Sequence, residues 1–294
     1  MANRPMRGVY PILVTPFDEQ SRVDEESLRR LVEWNIRAGV HGLGVALGSE
    51  VMRLSEAERA QVTRVVVDQV RGRVPVVVNT GGQGTELAVL YSRMALENGA
   101  DALMVMPPSA IPGGPAEIRE YYKAISDAVP LPIFIQDTVS TPVAANLARQ
   151  IAEESEWVHY IKVESQPLSY KVAQAVTQAG DLLAVFGGGG GNFFIEEMRR
   201  GSVGTMPGCS QPEDFVEVWN RFQAGDEQGA RAVFNARILP LNRLAEQGWG
   251  AFYHVHKEVL RRRGVIRCAR VRGPMAPLDE PTRRDLDQLY EALY

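Results

Sequence analysis

Cysteine is nearly absent from this chain: two occur in 294 residues, Cys209 and Cys268. They lie far apart and outside any metal-ligand spacing. That argues against a disulfide framework or a zinc site and fits a reducing cytoplasm. Histidine is almost as sparse, with four residues. His254 and His256 are two apart, His41 and His159 are isolated, and no His-Glu-x-x-His occurs, so no metal is expected. Neither sign of charge dominates, since 32 basic and 36 acidic side chains leave a net charge of −4. No electrostatic footprint for nucleic acid results, and the short clusters Arg199-Arg200 and Arg261 to Arg263 read as helix surface. Long apolar runs are missing too, and the opening "MANRPMRGVYPILVTPF" meets proline before any such run, so neither a signal peptide nor a membrane span is expected. No Gly-x-Gly-x-x-Gly follows the first strand-like segment, which removes the fingerprint of a nicotinamide oxidoreductase.

What the chain does have is a hydrophobic content of 45%, enough for a sizeable core. Eight short apolar segments recur: 8–17, 41–48, 74–81, 100–108, 131–137, 158–164, 182–188 and 202–208. Most are rich in Val, Ile or Met with Gly or Pro at the end, and they are continuously apolar, as strands of a covered parallel sheet are. Amphipathic segments such as 24–39, 55–72 and 85–100 separate them. Ser55 with Glu58 forms a capping-box start, and Gly39, Gly72 and Gly99 stand where helices should stop. Eight alternations predict a (β/α)8 barrel over residues 1–210. Helical patterns without strands fill 211–294, predicting a C-terminal appendage of three to four helices.

One strand-like segment is anomalous. "VHYIKVES", Val158 to Ser165, places Lys162 between Ile161 and Val163. On a barrel strand, alternate residues point to the axis, so Lys162 shares a face with Tyr160 and Glu164 near the catalytic end of the sixth strand. Desolvation there favours a neutral amine, a nucleophile for a carbonyl carbon. The competing reading is a structural lysine that pairs with Glu164 or Glu50, or one that snorkels to water.

Several motifs in order resemble the dihydrodipicolinate synthase/N-acetylneuraminate lyase family, the pyruvate-type class I aldolases and dehydratases. They are "GVYPILVTPFDE", "DEESLRRLVEWNIRAGVHGL", "ALGSEVMRLSEAER", "GADALMVMPP", "IKVES" and "GSVGTMPG", and the likeness covers nearly the whole chain. It implies a Schiff base between Lys162 and a 2-oxo acid, no cofactor, and a homotetramer built as a dimer of dimers.

The departures from that pattern bear on substrate. The family's two loop threonines are replaced in Ala46-Leu47-Gly48-Ser49-Glu50, leaving the amides of Gly48 and Ser49 to hold a carboxylate. The usual tyrosine-asparagine at the end of the fifth strand is Gln136-Asp137 here. An amide cannot relay a proton but can orient a substrate. Thr141 stands where true synthases carry an arginine for a second carboxylate, which points away from lysine biosynthesis. Proton transfer then falls to Glu164, with Asp137, Ser109 and Tyr10 as lesser candidates; the alternative role for Glu164 is simply to pair with Lys162. The glycine run 187–191 lacks the Lys-Ser/Thr of a phosphate loop. It reads instead as close backbone approach to the substrate through Gly188, with Asn192 capping the next helix. Thr205 in "GSVGTMPG" completes the substrate-binding candidates. "GSVGTMPGCSQPE" and "IKVES" most resemble the branch of L-2-keto-3-deoxyarabonate dehydratases, which implies dehydration of a 2-keto-3-deoxy sugar acid. A pyruvate-dependent aldolase and a non-catalytic 2-oxo-acid-binding barrel are the alternatives.

Overall fold

The computed structural model describes residues 5–248 and 250–294. Among them run eight strands: β1 Gly8–Val9, β2 Leu43–Val45, β3 Val76–Asn79, β4 Ala102–Val105, β5 Ile133–Asp137, β6 Val158–Val163, β7 Ala184–Gly187 and β8 Gly204–Thr205. Each falls inside one of the eight apolar segments. All pairings are parallel, in the order β1-β8-β7-β6-β5-β4-β3-β2. A backbone hydrogen bond from His41 N–H to Val9 O, 2.9 Å, links β1 to the lead-in of β2. With a helix after nearly every strand, this is the (β/α)8 barrel with a helical C-terminal extension.

The helices are α1 Glu25–Arg37, α2 Glu56–Val70, α3 Thr85–Glu97, α4 Pro115–Ala128, α5 Ala145–Glu154, α6 Leu168–Ala179, α7 Phe194–Met198 and α8 Pro212–Gln223, followed by α9 Glu227–Val233, α10 Leu239–Ala245, α11 Ala251–Arg262 and α12 Glu280–Leu293. Ser55 and Glu58 close the capping box at the start of α2. Gly39 and Gly99, just past α1 and α3, have φ of +84° and +82°, a conformation glycine adopts without the Cβ penalty. The helical stretch from Glu227 to Ala245 is interrupted by a π turn at Phe234–Ile238. Pro240 explains the break: it has no N–H to donate and its ring would crowd the carbonyl of Ala236, so the backbone widens ahead of it.

Chain contacts gather into two compact units rather than dividing near residue 210. The first holds 1–10, 41–46 and 75–207, and therefore every strand; the second holds 11–40, 47–74 and 208–294. Aromatic rings fill the interior of the sheet in the first unit. Phe134 stacks on Tyr160 at 4.3 Å, and Phe186 meets Tyr10 and Phe134 edge-on at 5.4 Å each. In the second unit Leu241, Leu244, Val255, Val259 and Leu286 form the apolar cluster that joins α10, α11 and α12.

The second unit also encloses a charge pair with no side-chain exposure on either partner, Lys257 with Glu50. Lys257 Nζ donates as well to Arg270 O at 2.7 Å and stands 4.4 Å over the Phe17 ring. Glu50, at a left-handed φ of 57°, accepts from Arg272 N–H at 3.1 Å. Burial pulls the Lys257 ammonium down to about 8 against the hold of Glu50. Glu50 is thus committed to Lys257. Removing one partner of such a pair typically destabilises by about 3–5 kcal/mol, because the other charge is left buried. Lys257→Met should therefore lower the urea midpoint markedly, and adding Glu50→Leu should restore much of the loss. Equal midpoints for wild type and the single variant would show that the pair does not hold this unit together.

Candidate active site

Lys162 lies on β6 in register with Gln136 on β5 and Phe186 on β7. Paired residues of neighbouring strands face the same side, so Lys162 belongs to the interior row of Phe134, Tyr160 and Phe186. It is 3% exposed. A charged group so placed needs a counter-charge, and Glu164 supplies it: Nζ stands 2.8 Å from Oε1. Glu164 Oε2 accepts from Gln136 Nε2 at 2.8 Å, and Gln136 Oε1 accepts from Asn79 Nδ2 at 3.2 Å. One chain of polar contacts thus runs Lys162, Glu164, Gln136, Asn79 across β6, β5 and β3.

Glycine makes room for it. A Cβ on Gly188 would collide with Glu164 Cγ and lie 3.0 Å from Lys162 Cε. Any side chain at 188 would displace the ion pair. Gly187 does the same on the other side of the strand, where a Cβ would collide with the carboxylate of Glu197 from α7. Two bare residues therefore lie between two carboxylates. Glu197 is fully buried, and neither carboxyl oxygen has a hydrogen-bond partner among the described residues. Burial, reinforced by the charges of Glu196 and Glu164, pushes it up to about 8.

Beyond Glu164 the chain is clamped by Asp137, which is fully buried. Asp137 accepts from Val143 N–H at 2.7 Å, Ser165 N–H at 3.2 Å, Ser165 Oγ at 2.6 Å and Lys171 Nζ at 2.9 Å. Its register partner is Val163, so it faces the helices rather than the interior. With its lone pairs so occupied, Asp137 ties the β5 and β6 ends to α6 and is not a free proton carrier.

A family model described as "Dihydrodipicolinate synthetase family" matches residues 5–293. The chain belongs to that family. It is 30% identical over 287 residues to an L-2-keto-3-deoxyarabonate dehydratase of Azospirillum brasilense, spanning 95% of this chain and 92% of the relative. It is 33% identical over 305 residues to a 4-hydroxy-tetrahydrodipicolinate synthase of Sorangium cellulosum, spanning 100% and 98%. Among solved structures, a dihydrodipicolinate synthase from Rhodopseudomonas palustris superposes with a TM-score of 0.89 at 28% identity, covering 98% of this chain and 97% of that one. The chain is accordingly a lyase of the dihydrodipicolinate synthetase family, whose relatives bear both dehydratase and synthase names.

Among the residues singled out from the sequence, Lys162, Glu164, Gln136 and Gly188 come together. Thr205 does not join them. Its register partner is Gly187, so its side chain falls on the helix-facing row, where Oγ1 is buried and has no hydrogen-bond partner among the described residues. Gly48 and Ser49 lie in the second unit, in a short helical turn at Leu47–Ser49. Ser49 Oγ donates to Leu13 O, while Ser49 O accepts from Thr15 Oγ1 at 2.6 Å. Asn192 does not cap α7: the cap position is Phe193, without a side-chain bond, and Asn192 Nδ2 donates back to Gly189 O at 3.0 Å. Ser109 is exposed and its N–H donates to Gln83 Oε1, and Tyr10 is packed among the interior rings. Asn79 and Glu197 escaped the sequence reading. Asn79 had a signal, a lone amide at the catalytic end of the strand "VVVN"; Glu197 had none, because "IEEM" reads as an ordinary helix face until Gly187 is set against it.

The buried Glu197 makes a pH signature. Its native value, about 8, lies above the ordinary 4.5, so the folded chain keeps a proton that the unfolded chain releases. Its contribution is fully favourable below the unfolded value and is lost as pH rises towards about 8. Glu197→Gln removes that loss. Its melting temperature should gain on wild type steadily as pH is raised over that interval, and a difference that stays constant with pH would assign the titration elsewhere.

Proposed function

We propose that this chain dehydrates a 2-keto-3-deoxy sugar acid through an enamine formed on Lys162. The observation that carries the reading is the buried 2.8 Å pairing of Lys162 with Glu164 on the interior row of the barrel. The buried amine has one carboxylate as its only ion-pair partner among the described residues, and that carboxylate is the group placed to take the amine's proton when a carbonyl is bound. The neutral amine attacks C2 of the 2-oxo acid, and the resulting carbinolamine expels its hydroxyl as water with the proton that Glu164 had taken from the amine, giving an iminium and restoring the carboxylate. Glu164, as carboxylate, takes a proton from C3, and the electron pair flows into the iminium to form the enamine. Return of that pair expels the C4 hydroxyl, which leaves as water with the proton from Glu164. Hydrolysis of the unsaturated iminium then frees the product and restores Lys162. Gln136 does not exchange protons. It holds Glu164 Oε2, aiming the other oxygen at the amine.

The named dehydratase relative supports dehydration over condensation, as does Thr141 at the position of the synthase arginine. Thr141 shares hydrogen bonds with Thr138 and offers no positive charge to a second carboxylate. The same reading carries the family expectations of a cytoplasmic homotetramer, which sedimentation checks directly. No described helix is long and apolar enough to cross a membrane.

Borohydride trapping with pyruvate and with 2-keto-3-deoxy sugar acids should leave a reduced adduct on Lys162, located by peptide mass. Lys257 serves as the internal control and should remain unmodified. Glu164→Gln should still be trapped while turnover falls by about 10²–10⁴-fold, the usual yield of a positioned acid/base. No adduct on Lys162, under conditions that label an authentic lysine-imine aldolase, would overturn the reading.

A further inference from the structure

The hydrogen-bond chain has a loose end. Glu164, paired with an ammonium, is a carboxylate and can only accept, so Gln136 must present its NH2 to it. Gln136 Oε1 is thereby turned towards Asn79, which must in turn offer its own NH2. The orientation of both amides is fixed by this logic, and the group left over is Asn79 Oδ1. Asn79 is 3% exposed, and Oδ1 has no donor among the described residues. Buried acceptors in folded proteins are nearly always matched, so an orphan at a catalytic strand end calls for a donor from outside the chain. In register Asn79 pairs with Met104, and Met104 with Phe134, which puts it on the interior row with Lys162.

We infer that Asn79 is a specificity-determining residue whose Oδ1 accepts a hydrogen bond from a hydroxyl on the substrate's carbon chain. The inference rests on the proposed function for the order of atoms. Lys162 takes C2, Glu164 serves C3 and C4, and Asn79 lies beyond Gln136, so the hydroxyl it reads is the one past the leaving group, on C5. The ligand class is a 2-oxo acid of at least five carbons with a C5 hydroxyl that donates. Pyruvate fits the amine and leaves Asn79 unsatisfied. A site built to bond a hydroxyl discriminates strongly against analogues that lack it, because its buried polar group is then left unpaired.

The test is equilibrium binding by calorimetry, with each sugar-acid ligand used as its 4-deoxy form, which lacks the leaving hydroxyl and so is not turned over. On the wild-type enzyme a 2-keto-3-deoxy sugar acid should bind at least about tenfold more tightly than its 5-deoxy analogue. The 5-fluoro analogue, which keeps the size but cannot donate, should bind as weakly as the 5-deoxy compound. In Asn79→Leu the three affinities should converge. Equal binding of hydroxyl and fluoro compounds to wild type, or an undiminished hydroxyl preference in Asn79→Leu, would overturn the inference. The wild-type comparison decides the question even where Asn79→Leu fails to fold. Failure of the underlying reading is separable. An enzyme that prefers the C5 hydroxyl but gives no borohydride adduct on Lys162 keeps the Asn79 assignment and loses the lysine chemistry, whereas an adduct without the preference does the reverse.

Discussion

The 2.8 Å pairing of Lys162 with Glu164 is the constraint around which the first unit is arranged. A lysine on the interior row of a barrel would otherwise shed its charge or reach for water. Holding it there requires a carboxylate two residues on and an adjacent strand with no side chain, which is why Gly188 packs against both partners. It requires also that the strand end be held still. Asp137 does that from the opposite face by gathering the β5 loop, Ser165 and Lys171 into one clamp.

Two lysine-glutamate pairs invite comparison: Lys257 and Glu50 are both fully enclosed, whereas Lys162 is buried and Glu164 keeps 20% of its side chain exposed. Lys257 has an anion, a backbone carbonyl and an aromatic face, and its glutamate is bonded in turn to a backbone N–H. Such a pair is a closed structural unit. Lys162 has the anion alone, and the chain leading from it ends in an orphan oxygen. Satisfaction of every polar group marks the structural pair, and its absence marks the site open to a ligand.

Much of the fold was legible in the chain because parallel barrel strands are buried on both faces. Each of the eight segments reads as an apolar run, most of them with Gly or Pro at the end, and the capping box at Ser55 marks a helix start without any tertiary information. Lys162 was legible for the opposite reason, as the residue that violates its own run. What stayed hidden depends on long-range register. Thr205 entered the substrate-binding candidates through a family motif, and a strand of two residues gives no periodicity from which to tell inward from outward. The left-handed glycines 189–191 hid the true start of α7, so Asn192 was read as a cap it does not make.

The departures from the family pattern have a common physical sense. Replacing a tyrosine by Gln136 removes a titrating group from above the amine and puts in its place a rigid two-ended connector, one end on Glu164 and the other on Asn79. A tyrosine relays protons and distinguishes substrates weakly. An amide relays none, but it fixes which end of each neighbour donates, and so carries a hydrogen-bond direction from the reacting carbons to the far end of the substrate. Proton transfer thereby concentrates on one carboxylate, which suits an elimination in which the proton taken from C3 is the one returned to the departing hydroxyl. On the proposed function, a condensation with a second carbonyl partner would need a proton delivered elsewhere, to the new alkoxide, whereas the elimination needs Glu164 alone. On the proposed function and the Asn79 inference, the one exchange at residue 136 bears on both reaction type and substrate preference: Gln136 leaves Glu164 as the proton shuttle and turns its own oxygen to Asn79, whose Oδ1 has no donor among the described residues.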